Sequence, residues 1–288
     1  MKRFHTVTVR PTIPASKQHL GAFADGDVLF DWTAFNVPKG AHKLVGMQAV
    51  VRGGNGAAQT FAINAYFGKT INGVAPSSIG EVHATANKSV TAAHNYLGAL
   101  QAEEDLASQL DLDNLSILRF AGGSVAAKTN IGESGLVLQG EPDSGINVGY
   151  DKLYIAATTP DGDANFSTNV ETTGALDVSA AAAARIDSLD NGSGSSALGT
   201  IKFAPGDIIH AEDDIILGEI EQVVSATELS FKTDGSVVYH GNGEVLFTNP
   251  DGLANWAIQN GADAAGDLAA NEELYIIHPI TIIMSFEM

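Results

Sequence analysis

The chain has 288 residues and a mass of 29.9 kDa, enough to bury a sizeable core and to form one large or two ordinary domains. Its 34 Asp and Glu against 15 Lys and Arg give a formal net charge of −19, a surface that repels phosphate backbones and argues against DNA or RNA as a partner. There is no cysteine, which excludes disulfides, thiolate metal sites and cysteine nucleophiles. Charged residues make up only 17%, where roughly a quarter is usual, and 31 glycines accompany them; this is the composition of a turn-rich β protein.

The opening Met1-Lys-Arg-Phe-His-Thr-Val-Thr-Val-Arg10 is basic, but no apolar run follows, so no secretion signal is expected. No window approaches the ~18 apolar residues of a membrane span, and no membrane partner is expected. Residues 3–10 alternate, with Phe4, Thr6 and Thr8 against His5, Val7 and Val9, and predict a first strand that Pro11 and Pro14 stop. Asp25-Gly-Asp27 is a turn before Val28–Trp32, and Asn36-Val-Pro-Lys-Gly40 is a turn before a strand over Lys43–Arg52. Gly53-Gly-Asn-Gly56 is a loop. Over 60–69 the residues Phe61, Ile63, Ala65 and Phe67 share one face. The spacing of about ten residues between strands indicates an antiparallel sandwich or barrel.

Gln101–Leu110 is rich in helix formers, with acids early, and predicts a short helix. Strands are expected again over Leu115–Phe120, Gly135–Gln139 and Asp151–Ala157. Residues 158–200 are rich in Thr, Ala, Ser, Asp and Gly. Asp177 or Ser179 caps a short helix expected over Ala180–Ala184, ending near Ile186, and Asn191–Ser196 is a flexible link. Short strands follow over 201–209, 215–224, 228–231, 237–239 and 244–247, with one or two helical turns expected over Leu253–Ile258. Lys152-Leu-Tyr-Ile155 resembles Glu273-Leu-Tyr-Ile276, so the β module between them reads as an insertion, or as a second lobe whose C-terminal strand returns to the first sheet. The last stretch, Leu274–Phe286, is the most continuous apolar run. From Ile280 it alternates, with Ile280, Ile282, Met284 and Phe286 on one side, and Pro279 marks a bulge, an edge or a junction.

Phe203-Ala-Pro-Gly-Asp-Ile-Ile209, followed by Ile216-Leu-Gly-Glu-Ile-Glu-Gln-Val-Val-Ser-Ala-Thr-Glu-Leu-Ser-Phe231, resembles a pattern of tailed-phage virion proteins. Gly206 permits its turn, Asp207 bonds its own backbone, and Gly218 allows close strand crossing. Gly26–Gly40 is similar to openings of β-sandwich structural proteins of marine tailed phages, including those of cyanobacteria. The resemblance implies a capsid-surface decoration or cement role and transfers no binding residues.

Gly53–Gly56 lacks the Gly-Lys-Ser/Thr ending of a phosphate loop, and Gly192-Ser-Gly-Ser-Ser196 is no nucleophile elbow. The eight histidines, among them His19, His42, His83, His94, His210 and His278, lack metal-ligand spacing. Asp161-Gly-Asp-Ala-Asn165 begins like a Ca²⁺ loop, but Phe166 and Thr172 stand where Gly and Glu are needed. Glu212-Asp-Asp214 beside His210 offers oxygens to a cation or, more simply, a soluble hairpin tip.

The expected fold is all-β: an antiparallel sandwich of jelly-roll type formed by 1–157 with 270–288, a linker and short helix over 158–200, and an inserted small barrel-like module over 201–269. The expected function is that of a non-enzymatic virion protein on the capsid surface, made in the host cytoplasm. Its partners would be the major capsid protein or other virion proteins and copies of itself, with a trimer the favoured number. Trp256 with Phe247 would form an adhesive patch, and Phe4, Val7 and Val9 an arm that adds a strand to a neighbour. No catalytic residue, metal ligand or cofactor is expected. The alternatives are a tail- or fibre-associated glycan-binding protein and a carboxylate-dependent hydrolase.

Overall fold

The computed structural model describes residues 3–52, 61–87, 93–103, 109–112, 115–120, 136–142, 149–167, 171–172, 185–186, 189–190, 202–211, 214, 216–226, 228–231, 238–240, 244–247, 256–257 and 273–288. In chain order the first part contains β1 (Phe4–Val9), α1 (Ala15–Gln18), β2 (Val28–Pro38), β3 (His42–Arg52), β4 (Ile63–Lys69), β5 (Tyr96–Ala102), β6 (Gln109–Asp111), β7 (Leu115–Arg119), β8 (Leu136–Leu138), β9 (Glu141–Pro142) and β10 (Tyr150–Thr158). The second part contains β11 (Glu171–Thr172), β12 (Arg185–Ile186), β13 (Leu189–Asp190), β14 (Ile208–Ala211), β15 (Ile216–Val223), β16 (Leu229–Phe231), β17 (Val238–His240), β18 (Glu244–Phe247) and β19 (Trp256–Ala257). The chain closes with β20 (Leu274–Ile276) and β21 (Ile280–Glu287).

Two antiparallel sheets form a sandwich. Sheet 1 runs β1-β21-β3-β7-β6, with β8 also beside β3; sheet 2 runs β2-β10-β4-β5, with β9 beside β10. Alternation decides which residues face inward, because successive side chains of a strand point to opposite faces. In sheet 1, Leu44, Met47, Ala49 and Val51 of β3 face in beside Ile280, Ile282, Met284 and Phe286 of β21. In sheet 2, Phe35 and Val37, Ile63, Ala65 and Phe67, and Leu153, Ile155 and Ala157 meet them in one core. Each large side chain buried this way contributes about 1.5–3 kcal/mol.

Successive strands mostly oppose each other across the core rather than pair. β1, β3, β7 and β21 lie in sheet 1, and β2, β4, β5 and β10 in sheet 2. The first and last strands are neighbours, with Phe4 opposite Glu287 and Val9 opposite Ile282. β21 therefore enters between β1 and β3.

A second sheet system lies between β10 and β21. Its main sheet runs β12-β16-β15-β14-β20; β17-β18-β19 and β11-β13 form smaller ones. β20 pairs with β14, whereas β21, after Pro279, pairs with β3. Residues 277–279 are thus the crossover between the two systems, held by Ile277 N–H on the Ile208 carbonyl (3.1 Å) and Arg52 N–H on the Pro279 carbonyl (2.9 Å). The echo between 152–155 and 273–276 joins two strands of different sheets, β10 and β20.

Two helical expectations meet strands instead. Gln101 and Ala102 close β5, and Gln109 and Leu110 belong to β6; 104–108 lie outside the described residues. Trp256–Ala257 form β19, with 253–255 and 258 outside the described residues. In both cases cross-strand pairing overrides local propensity. The helix expected over Ala180–Ala184 lies outside the described residues; Arg185–Ile186, beyond it, form β12. The short helix α1 is anchored by Gln18: its Nε2 donates to the carbonyls of Ile13 (2.7 Å) and Ile276 (2.8 Å). β1 is no free arm, since it pairs along its length with β21 of its own chain.

Candidate functional site

The turn at 204–207 is built as its sequence suggests and does more besides. Gly206 takes φ +90°, a conformation open to glycine. The Asp207 carboxylate accepts the Ala204 N–H at 2.7 Å, and the Ile220 N–H donates to the Asp207 carbonyl at 2.7 Å. The same carboxylate receives both arms of Arg52 (2.5 and 2.6 Å), whose guanidinium also donates to the Lys202 carbonyl at 2.8 Å. This bidentate pair is the lock between sheet 1 and the inserted sheet. It was not legible, because Arg52 and Asp207 share no local pattern.

Beside the lock lies a cavity of about 380 Å³, lined by Arg10, Arg52, Asp207, Glu219, His278 and Thr281 among others. Its two arginines face two carboxylates, so the charges are balanced. His278 Nδ1 lies 3.1 Å from the Pro11 carbonyl. Burial pushes its imidazole below the ordinary range, against that hydrogen bond, which pulls the other way.

A polar cluster ties α1 to β20. The Tyr275 hydroxyl donates to Glu273, and His19 Nδ1 lies 3.1 Å from that hydroxyl. Lys202 is buried nearby, and its Nζ has no hydrogen-bond partner among the described residues. Burial lowers its pKa to about 8, with Glu273 opposing. His210, opposite Tyr275 in register, is lowered to about 4 by burial; Asp214 opposes this and His278 adds to it. The His210 imidazole is therefore neutral near pH 7, the form of a base, whereas Lys202, at about 8, stays mostly charged there. Neither group lines the junction cavity.

The oxygens singled out in sequence are taken up by hydrogen bonds from the chain itself. Asp161 accepts the Ala62 N–H at 3.2 Å and the Thr159 hydroxyl at 3.2 Å, and Asn165 accepts the Ser167 N–H at 3.0 Å. Asp214 is held by Ser16, through N–H at 3.0 Å and hydroxyl at 2.5 Å; Glu212 and Asp213 lie outside the described residues. Among the described residues no three His, Asp or Glu converge on a point where a metal could sit. His5 stacks on Phe286 (5.2 Å between centroids) and meets His42 edge-on (4.9 Å); His83 packs edge-on against Phe23 (4.3 Å). His94 is exposed. The glycine clusters at 53–56 and 192–194 lie outside the described residues, as do the side chains of Phe247 and Trp256, whose backbones stand opposite each other.

The outward positions of the two sheets form surfaces of different chemistry. On sheet 1 they carry Phe4, Thr6 and Thr8 on β1, Thr281, Ile283 and Ser285 on β21, Gln48 and Val50 on β3, and Leu115 and Ile117 on β7. Val45 and Val137 stand exposed beside them. The charged residues there are Lys43 opposite Glu287, the Arg52 of the lock, and Arg119. Small residues at Gly46 and Ser285 leave a shallow hollow of about 270 Å³ between Gln48, Ile283 and Arg119. β1 ends the sheet, and its six residues include no charged residue other than a histidine, and no proline or glycine to guard the edge.

On sheet 2 the outward positions carry rings: Trp32 on β2, Tyr150 and Tyr154 on β10, Tyr66 on β4 and Tyr96 on β5. The segment 76–86 packs on one side of them through Ile79, Val82 and Ala86. Comparison of the chain with family models, with curated proteins and with solved structures finds no match.

Proposed function

We propose that the sandwich follows the jelly-roll path and that the protein is a non-enzymatic structural component of a tailed-phage virion, a decoration or cement protein of the capsid surface. The strand order supports the path: β1-β21-β3-β7 in one sheet and β2-β10-β4-β5 in the other is the order of a chain wound as two Greek keys. The observation that carries the assembly reading is the outer face of sheet 1. In a chain of net charge −19 it is aliphatic and hydroxyl-bearing, with cations outnumbering anions, and it ends on the unguarded edge of β1. Such a face buries well against a flat protein lattice or a second copy, and weak local charge removes the repulsion that keeps acidic chains apart. The virion assignment itself rests on the resemblance of 203–231 and 26–40.

Two measurements test this. Light scattering at rising concentration should detect a homo-oligomer, with a trimer favoured, and purified heads should retain the protein. A strict monomer that fails to bind heads defeats the reading, and density for the chain in an intact virion would place it.

A further inference from the structure

We propose that the outer face of sheet 2 is a binding site for a neutral carbohydrate chain. The chain has eight Tyr and Trp in all, and five of them, Trp32, Tyr66, Tyr96, Tyr150 and Tyr154, stand at outward positions of this one sheet. They occupy every strand of the order β2-β10-β4-β5. Register and packing bring four of them together, with Tyr150 about 13 Å further along β10: Gly68 lies opposite both Tyr154 and Tyr96, and Ala156, two residues beyond Tyr154, lies opposite Tyr66. At roughly 4.8 Å per strand the row is about 15 Å long, a few sugar rings.

Two of the rings are held before any ligand arrives. The Trp32 indole donates to the Ser77 carbonyl at 2.9 Å and sits against Gly68, where an added Cβ would come within 3.1 Å of the ring and 3.2 Å of Pro76. Tyr66 sits 3.2 Å from the Thr158 hydroxyl through its own. Tyr96 and Tyr150 remain 47% and 48% exposed, which leaves ring area open. Pre-set rings lose little conformational freedom on binding.

Charge selects the occupant. Lys152 and Glu141 stand opposite each other at one end, and Glu141 is held by the N–H groups of Asn72 and Gly73 at 2.9 Å. Asp31 accepts the Ile79 N–H at 3.0 Å. Elsewhere the outward positions are amides, hydroxyls and alanines. Nucleobases would stack on such rings, but a strand of phosphates would meet two lysines, Lys69 and Lys152, gathered at the Glu141 end, and a chain of charge −19. A protein partner would find few aliphatic anchors here; those are on the opposite face. A neutral sugar presents flat C–H faces to the rings and hydroxyls to the amides, and the row offers both. The inference is independent of the assembly reading, which uses the other sheet.

The test is affinity electrophoresis of the full chain through gels cast with a β-1,4-glucan, a mannan or a dextran, each an unbranched or lightly branched neutral polymer. At least one should retard the protein. Tyr154→Ala and Tyr96→Ala should each weaken retardation roughly tenfold, while Tyr154→Phe, which keeps the ring, should retain most of it. Thermal midpoints of the variants guard against misfolding, and Tyr150→Ala, at a half-exposed position, offers a further variant. No retardation by any of the three polymers overturns the proposal, as does retardation that the ring variants leave unchanged. Binding only to polyanionic polysaccharides, or capture of a protein partner through these same rings, also overturns it.

Discussion

The two outer faces of the sandwich are made of strands with the same period, the same antiparallel pairing and cores that merge into one, yet they present opposite chemistries. Sheet 1 shows Ile283, Val50 and Ile117 in a patch of threonines, ending on an open edge. Sheet 2 shows tyrosines, a tryptophan and amides, with its β2 edge covered by residues 82–86: Val28 N–H reaches the Ala84 carbonyl at 2.9 Å, and Ala86 N–H the Gly26 carbonyl at 3.0 Å. The same scaffold therefore offers one side to a flat partner and the other to a ligand that must stack. What each side can hold is set by the outward residue of every pair, while the inward residue is committed to the fold.

The largest test separates inward from outward on a single strand. Phe286→Ala removes a fully buried ring and should cost about 3–5 kcal/mol, read as a lower midpoint in urea, whereas Ser285→Ala, its outward neighbour, should shift stability by under ~0.5 kcal/mol. Arg52→Ala should come next. It leaves the half-buried Asp207 without its partner and should cost roughly 2–4 kcal/mol, with the inserted sheet losing hydrogen-exchange protection before the sandwich does. Equal loss in both would show that the lock is not what joins them. Ile283→Asp with Val50→Asp should then abolish self-association and head binding at nearly unchanged monomer stability, while polysaccharide retardation persists. A double variant that still associates would move the docking surface away from sheet 1.

The two faces should also part under pH. His5 beneath sheet 1, and His210 and His278 in the inserted sheet, have pKa values lowered chiefly by burial, so the folded protein keeps them neutral. The unfolded chain binds those protons first, so stability present above about pH 6.5 is lost as the pH falls, down to about 4 for His210. On sheet 2 the Tyr96 phenol is raised, by burial and then by Tyr66, so the unfolded chain releases that proton first and stability is lost above about pH 10. Denaturant midpoints against pH should fall at both ends, and His210→Phe should flatten the acid limb only. The smallest effect is at Gly68→Ala: the added methyl must push the Trp32 indole aside, at about 1 kcal/mol, with a change in tryptophan fluorescence and weaker retardation in polysaccharide gels.

Much of this was legible in advance and some was not, for reasons that lie in particular residues. The alternation of His5, Val7 and Val9, of Phe61, Ile63, Ala65 and Phe67, and of Ile280 to Phe286 marked both the strands and their inward faces, because a half-buried strand must repeat every two residues. The expected junction at Pro279 is where the chain passes from the inserted sheet to sheet 1. The helix expected over 101–110 misled at both ends, since good helix formers sat where β4 and β7 offered partners. The aromatic row was hidden for another reason. Aromatic residues are only 7% of the chain, too sparse a count to point to a stacking surface. Nothing local shows that Trp32, Tyr66, Tyr96 and Tyr154, drawn from four strands, share one face.

By itself the sequence determined the strands, their turns, the inward residue at most positions and the acidity of the whole, because period, glycine and proline geometry and net charge are local or additive properties. The tertiary structure alone decided that the first strand lies beside the last, that Arg52 closes on Asp207, and that aliphatic and aromatic residues part onto opposite faces. Those are matters of which strands become neighbours, and neighbour choice depends on the whole chain folding around one core, so no window of sequence contains it.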